Sequence, residues 1–131
     1  MPAHLTLGRA GEDAAAKHLK RSGLKIIERN WTSERLELDL VCRQGRTLVF
    51  VEVKTRSGGS LGSPADGLTP AKMSRLVRAA AAYLSATDQW ERPCRFDLVS
   101  VTGAKDALEV EHVENAFSLE DAGSVAGFWQ P

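Results

Sequence analysis

The sequence predicts an α/β protein in which a central mixed β-sheet is flanked by helices, in the order α-β-β-β-α-β with a further short strand at the end. Two segments have apolar residues at helical spacing, whereas several others are rich in β-branched and aromatic residues or alternate between apolar and polar ones. Strands and helices in this order are most economically packed as a sheet with helices against it. A length of 131 residues suits one domain, predicted over residues 1–131, and the composition of the acidic tail at 119–131 allows disorder there.

The first half of the chain contains one predicted helix and three predicted strands. Apolar residues recur at helical spacing over residues 6–22, and Gly23 ends that pattern. A β-prone run at 24–29 precedes an alternating segment at 37–42. A glycine-containing turn then leads into the β-branched and aromatic run at 47–54, so the last two strands are expected to form a hairpin.

The second half begins with a loop and continues with a helix and two strands. Residues 55–68 are rich in glycine and serine and are predicted to be a loop. Thr69 is a good N-cap, and Pro70 suits the first position of the helix that follows. Strands are predicted at 94–101 and, at the edge of the sheet, at 108–113.

Charge is distributed unevenly along the chain, although 17 basic and 17 acidic residues balance. All basic residues lie at or before Lys105, so residues 1–105 have a net charge of +6 and residues 106–131 a net charge of −6. A basic body favours a polyanionic partner such as DNA, because lysine and arginine displace counterions from phosphates. Charge that only maintains solubility explains the same distribution equally well.

Composition excludes several other classes of protein. The two cysteines, Cys42 and Cys94, are far apart and too few for a disulfide scaffold or a structural zinc site. There is no apolar run of membrane-spanning length and no secretory signal pattern near the start of the sequence, so we expect a cytoplasmic protein without a membrane partner.

Three acidic residues and one lysine lie on two consecutive predicted strands that are otherwise apolar. Glu37 and Asp39 are two residues apart, so their side chains share one face of the first strand, and Glu52 and Lys54 share a face of the next strand. If the hairpin brings the three carboxylates together, their repulsion raises one or more pKa values unless a cation compensates. Mg²⁺, a hard divalent cation that takes oxygen ligands, would supply that compensation.

The lysine fits the same chemistry. The ammonium of Lys54 beside a metal ion could hold or activate an attacking water, or stabilise negative charge developing at phosphorus. A metal ion lowers the pKa of bound water and polarises a phosphoryl group. These residues therefore predict hydrolysis of a phosphodiester.

A purely structural interpretation fits the same charges one residue at a time. Charged residues at alternate strand positions usually form the solvent-facing side of an antiparallel sheet. Glu52 and Lys54 would then form only weak cross-strand pairs with Glu37 or Asp39. The spacing of Asp39 from the Glu52-x-Lys54 triplet, at the end of an apolar strand, favours the hydrolytic site when the residues are taken together.

This spacing of Asp39 and Glu52-Val53-Lys54 resembles the PD-(D/E)xK signature of restriction-endonuclease-like nucleases. Over about residues 8–118, the chain also resembles the YraN family of small bacterial proteins and, more distantly, archaeal Holliday-junction resolvases. The stretches that carry the resemblance are 8–12, Ala14, 28–31, 37–41, 49–56, Lys72, Leu76, Ala80, Tyr83, Leu84, 95–99 and 115–117.

The resemblance implies a restriction-endonuclease-like fold and a role for each residue of the triplet. Asp39 and Glu52 would be ligands of Mg²⁺ or Mn²⁺, the carbonyl of Val53 a third ligand, and Lys54 a catalytic residue. It also implies that Glu12, in the first helix, approaches the metal as a further catalytic and ligating residue, although a glutamate in the first turn also suits the helix dipole.

Glu37 is a further catalytic candidate within the acidic strand. The family usually has glycine immediately before this glutamate, whereas Leu36 occupies the position in this chain. Because the acidic residues themselves are intact, the departure concerns the backbone path around the site rather than its chemistry.

Four basic residues are predicted to contact nucleic-acid phosphates. Arg56 follows the catalytic lysine directly into the loop, while Lys72, Arg75 and Arg78 are three residues apart and share one face of the second helix. A solvated helix face is the alternative interpretation of the last three.

Three functions follow as hypotheses. The first is a divalent-metal nuclease that acts on DNA, with branched or structured DNA considered first and a homodimer implied by the resolvases. The second is a DNA-binding accessory factor with a weak or silent nuclease site. The third is an interaction protein whose carboxylates are only surface charge.

Overall fold

The predicted element order is confirmed in a computed structural model, which describes residues 6–58, 67–123 and 129–131. Two helices and five strands follow one another as α-β-β-β-α-β-β. The final strand, predicted as a short edge strand, is present and longer than expected. The elements are α1 (Leu7–Arg21), β1 (Lys25–Ser33), β2 (Leu36–Gln44), β3 (Thr47–Arg56), α2 (Pro70–Thr87), β4 (Cys94–Ala104) and β5 (Ala107–Phe117).

The five strands form one mixed sheet in the order β1-β2-β3-β4-β5. The first three strands are antiparallel neighbours, β3 and β4 are parallel, and β4 and β5 form an antiparallel pair. A parallel pair needs a long crossover connection, and α2 lies within the one between β3 and β4. The described part of the chain therefore builds an α/β fold, as the sequence predicts.

Each face of the sheet is covered by one helix. Along β3, Val49 and Val51 pack in the cluster that contains residues of α1, whereas Leu48 and Phe50 pack in the cluster that contains residues of α2. Because side chains alternate along a strand, this pattern directs Glu52 to the α2 side of the sheet.

The second helix begins as predicted. Thr69 precedes it in an extended conformation, its side chain accepts a 3.2 Å hydrogen bond from the backbone N–H of Lys72, and Pro70 is the first helical residue. Asp88, in the left-handed region with a φ of 54°, caps the other end. These caps define where α2 begins and ends, and its buried residues pack it against the sheet on the side of Glu52.

The β1–β2 hairpin leaves the plane of the sheet near Asp39. The pairing of β2 with β3 extends only to Leu40, whereas the pairing of β2 with β1 continues to Leu36. Leu38 packs on the α2 side and Leu40 on the α1 side, although they are two residues apart. The simple alternation predicted for residues 36–40 is therefore broken at Asp39.

Asn30 lies on β1 at the level of this change and has a φ of 53°. Beyond it, residues 31–38 form what we call the hairpin arm, which bends towards α2. The ring of Trp31 packs edge-on against Tyr83 of α2, with 5.2 Å between ring centroids, and Leu38 is fully buried. The arm and α2 thus enclose a space at the end of β3.

The C-terminal residues that the structure describes also contact the α2-side cluster. Ala122 is buried, and the ring of Trp129 lies 5.3 Å from that of Trp90 and 5.8 Å from that of Phe96. Over residues 6–58, 67–123 and 129–131, neither helix has the length and apolar character needed to cross a membrane.

Candidate functional site

A cavity of about 270 Å³ lies between the hairpin arm and the N-terminal half of α2. Most of the acidic and basic residues singled out in the sequence converge here, from three different elements. The lining residues are Arg35 from the hairpin turn, Leu36, Glu37 and Asp39 from β2, Glu52 from β3, and Lys72, Arg75 and Leu76 from α2.

Asp39 is held at the point where β2 separates from β3. Its carboxylate accepts a 2.8 Å hydrogen bond from the backbone N–H of Val53, beyond the last paired residues of the two strands, Leu40 and Val51. The side chain thus replaces the ladder partner that β2 no longer provides. This contact orients the carboxylate of Asp39 towards β3.

Glu52 lies next to Asp39 and holds its proton unusually strongly. Burial, a hydrogen bond with Asp39 and the negative charge of Asp39 raise the pKa of Glu52 to about 8; Glu37 raises it further, and Lys72 acts in the opposite direction. Two adjacent carboxylates cannot easily both be ionised, so near neutral pH Glu52 keeps its proton. A divalent cation between them would remove the repulsion.

The donor atoms at this pair fit a magnesium or manganese ion. Magnesium is usually bound by one or two carboxylates, and its remaining positions are taken by waters and phosphate oxygens. The carbonyl of Val53 points to the same side of β3 as its N–H, the side that β2 has left and that Asp39 faces. Among the described residues, no group of three or more histidine, cysteine, aspartate or glutamate side chains is arranged to hold a metal, so the fit concerns two carboxylates and a backbone carbonyl.

Lys54 and Arg56 lie beside the cavity rather than in its lining. Both project to the α2 side by strand alternation, and both approach Gly67, just before the N-cap of α2. A β-carbon at Gly67 would be 3.6 Å from Cγ of Lys54 and 3.4 Å from Nη2 of Arg56. The two cations are therefore close to each other, and they lie on the same side of the sheet as Glu52.

Glu12 is held away from this cavity. Its carboxylate accepts hydrogen bonds from Arg29 at 3.1 Å and from the side chain of Asn30 at 2.8 Å. Arg29 also pairs with Asp13, which is the largest cause of the raised pKa of that arginine. The structure thus places Glu12 at the bend of β1, and its role as a metal ligand stays a prediction.

The three basic residues of α2 divide into two groups. Lys72 and Arg75 line the cavity, whereas Arg78 is exposed one turn further along and does not line it. Sequence analysis missed Arg35, because residues 30–36 were not assigned to any element. The short polar run between the two predicted strands was the available signal for a turn that could present a side chain.

A second acidic group lies on the opposite side of the sheet. Asp97 of β4 is buried, with no exposed side-chain area. It receives a 3.0 Å hydrogen bond from Nε of Arg95 and a 3.1 Å hydrogen bond from the backbone N–H of Asn115, and Nε2 of His112 lies 2.7 Å away. Burial alone would raise the pKa of Asp97, but these partners lower it overall.

Comparisons with known proteins agree on one family. The model of the family described as "Uncharacterised protein family UPF0102" matches residues 11–101. A UPF0102 protein of Nitratidesulfovibrio vulgaris is 52% identical over 125 residues, which is 95% of this chain and 93% of that protein.

Two further relatives show how far this similarity extends. A UPF0102 protein of Lawsonia intracellularis is 42% identical over 95% of this chain and 96% of its own length. A UPF0102 protein of Oleidesulfovibrio alaskensis is 54% identical over 86% of this chain, but the match covers only 55% of that longer protein. The described site lies entirely within residues 11–101.

Proposed function

This chain belongs to the uncharacterised protein family UPF0102, the YraN family that its sequence resembles, and from its site we propose that it is a divalent-metal-dependent nuclease acting on DNA. The family name assigns no activity. The proposal therefore depends on the chemistry of the residues around the cavity.

The observation that supports it most strongly is the contact between Asp39 and Glu52. Both side chains are partly buried, they face each other, and the pKa of Glu52 is raised as a result. Such a pair destabilises a fold unless a proton or a bound cation neutralises it. Pairs of this kind are typical of functional sites, where pKa values are shifted by burial and neighbouring charge.

Asp39, Glu52 and the carbonyl of Val53 would hold Mg²⁺ or Mn²⁺. When bound, the ion would lower the pKa of a coordinated water and polarise the phosphoryl group. Lys54, on the same face of β3 as Glu52, would stabilise the negative charge that develops on the phosphate oxygens. In the overall reaction, a water oxygen bonds to phosphorus and one ester P–O bond breaks, leaving a phosphomonoester and a hydroxyl group.

A DNA-binding accessory factor is the second candidate. Among the described residues, no group of three or more potential metal-ligating side chains is assembled, and Glu12 is already engaged by Arg29 and Asn30. A site with so few side-chain ligands could bind DNA through its cations without efficient hydrolysis. This candidate predicts salt-dependent DNA binding and no cleavage.

Cleavage of a substrate panel tests the proposal. The purified chain would be incubated with linear, single-stranded, flapped and four-way DNA, with Mg²⁺ or Mn²⁺ and with a chelator. We expect metal-dependent cleavage of at least one substrate, and loss of at least about 100-fold in Asp39→Asn and Glu52→Gln, since even an outer-shell partner of a metal costs roughly 10- to 100-fold.

Lys54→Ala should also lose activity, whereas Glu109→Gln, an exposed acid on β5, is the matched control and should retain it. Binding of the panel without any metal-dependent cleavage would favour the accessory factor. Cleavage that persists in Asp39→Asn at the wild-type rate would reject this site as the nuclease centre.

The finer parts of the proposal come from the resemblance rather than from the cavity. They are a preference for branched or structured DNA, a homodimer and a cytoplasmic location. Preference within the panel and light scattering of the purified chain test the first two directly.

A further inference from the structure

The cavity has a cationic side that complements its acidic side. Arg35 comes from the hairpin turn, and Lys72 and Arg75 come from α2. In the part of the chain that the structure describes, none of these three side chains forms an ion pair, although carboxylates line the same cavity. Lys72 interacts electrostatically with Glu52 across the cavity, but none of the three cations is held in an ion pair, so their donor groups can bind an anionic ligand.

The hairpin arm gives Arg35 a defined position. Arg35 itself is exposed, but the arm that bears it is packed on α2 through Trp31, Leu36 and the buried Leu38. The hairpin arm, which carries Arg35, is therefore held on one side of the cavity, opposite α2, which carries Lys72. A guanidinium is well suited to this task because its planar donors can bind two oxygens of one phosphate.

The first turns of α2 favour the same ligand. Lys72 and Arg75 lie in the N-terminal half of the helix, where the helix dipole is positive and favours a bound anion. A phosphate suits these cations better than a carboxylate does, because its tetrahedral oxygens can accept hydrogen bonds from several directions at once. A phosphate of a polymer backbone could contact both the hairpin arm and α2.

We propose that Arg35, together with Lys72 and Arg75, binds a backbone phosphate of a nucleic-acid strand in this cavity, and that Arg35 is the positioning residue that aligns the neighbouring phosphodiester with Asp39 and Glu52. The phosphate site is a property of the cavity, whereas the alignment rests on the proposed nuclease function. Arg35 acts on binding and alignment, so its loss should raise KM and, because a misaligned phosphodiester reacts more slowly, also lower kcat.

Binding is measured first, in chelator and without metal, so that no bound metal ion contributes to the affinity. Fluorescence anisotropy of a labelled DNA duplex with a single-stranded overhang gives the affinity over a series of salt concentrations. Each phosphate contact that is lost lowers the slope of log K against log salt by about one. We expect that decrease in Arg35→Gln, and partial retention of affinity in Arg35→Lys.

Arg46→Gln is the matched control, because Arg46 is an exposed arginine in the turn at the opposite end of the β2–β3 hairpin. Its slope should equal that of the wild type. Unfolding midpoints of both variants confirm the fold; if Arg35→Gln does not fold, Arg35→Lys is compared with Arg46→Lys instead. An Arg35 variant with the wild-type slope, or a protein that does not bind the probe, overturns the phosphate site.

Cleavage with Mg²⁺ or Mn²⁺ then separates the two proposals. A smaller slope of log K against log salt in Arg35→Gln, together with a raised KM, supports both the phosphate site and the nuclease. If Arg35→Gln has the smaller slope but the wild-type protein cleaves no DNA, the phosphate site is supported and both the alignment and the nuclease are overturned. Cleavage that depends on Asp39 while Arg35→Gln has wild-type slope and KM overturns this inference and leaves the nuclease intact.

Discussion

Two acidic groups lie on opposite sides of the same sheet and differ in their surroundings. Asp97, on the α1 side, is fully buried and is bonded by Arg95, His112 and a backbone N–H, so its pKa is lowered. Glu52, on the α2 side, has another carboxylate as its nearest polar partner, so its pKa is raised.

The comparison separates a buried charge that the fold compensates from a carboxylate pair that it leaves without a cationic partner. Burial disfavours ionisation in both places, but only the Asp97 group has positive and N–H partners that offset it. At the Asp39–Glu52 pair the cations are near without forming ion pairs, and Asp39 accepts hydrogen bonds from the backbone N–H of Val53 and from protonated Glu52 rather than from a cation. A site in that condition is prepared for a ligand.

The largest expected effect is on stability at Asp97. Replacing Asp97 by Asn removes the buried carboxylate that bonds Arg95 and His112, and although Arg95 keeps Glu114 as a partner, breaking a buried ion pair costs roughly 3 to 5 kcal/mol of unfolding free energy. Asp39→Asn removes a repulsion, so its stability should be within about 1 kcal/mol of wild type or higher. Urea unfolding at neutral pH measures both, and equal destabilisation would contradict the comparison.

The pH dependence of stability should have opposite signs at the two groups. The folded protein holds the proton of Glu52 up to a pKa of about 8, against an ordinary value of 4.5, so the unfolded state is increasingly favoured as pH rises between these values. The slope is at most about 1.4 kcal/mol for each pH unit in that range. Unfolding curves at several pH values should show this fall in the wild type and not in Glu52→Gln.

At acidic pH, Asp97 determines how the free energy of unfolding changes with pH. Its folded pKa is below the ordinary value of 3.8, so its contribution is fully present above that value and is lost as pH falls through the folded pKa. Acid unfolding of Asp97→Asn should therefore depend less on pH than that of the wild type. A variant profile parallel to the wild-type profile would show that Asp97 does not supply this stability.

A divalent metal ion should stabilise the folded protein by binding at the Asp39–Glu52 pair, and it should not bind at Asp97. Saturation to 100 times the dissociation constant adds about 2.7 kcal/mol to the unfolding free energy. Mn²⁺ should raise the thermal midpoint of the wild type and of Glu109→Gln, and not that of Asp39→Asn. An equal rise in all three would indicate a site elsewhere.

The smallest expected effect concerns the bend that separates the two environments. Asn30 has a φ of 53°, which costs an alanine about 1 kcal/mol or more and costs glycine little. Both Asn30→Ala and Asn30→Gly lose the hydrogen bond to Glu12, so the difference between them isolates the backbone. Thermal unfolding should show the alanine variant as the less stable. Equal midpoints would show that the positive φ at position 30 does not affect stability.

Sequence patterns were sufficient to predict the order of the elements and the two carboxylates that the structure brings together. Alternation and turn residues identify the strands, and the spacing of Asp39 and Glu52 identifies the carboxylates, because these signals are local. The broken alternation between Leu38 and Leu40 could not be predicted, since it depends on the arm packing against Tyr83 of α2.

The remaining surprises arise from contacts between distant parts of the chain. Arg35 reaches the cavity only because the arm bends, and Glu12 is held by Arg29 and Asn30 of β1. The group around Asp97 depends on His112, which reaches it from the neighbouring strand. A single aspartate in an apolar strand gives no sequence signal of such partners.

The central claim is that Asp39 and Glu52 together bind a divalent ion, and calorimetric titration of Mn²⁺ into the metal-free protein tests it most directly. The account predicts saturable binding in the wild type and in Glu109→Gln, and its loss in both Asp39→Asn and Glu52→Gln while those variants remain folded. The same isotherm in all four proteins, or none in the wild type with DNA present, would contradict it.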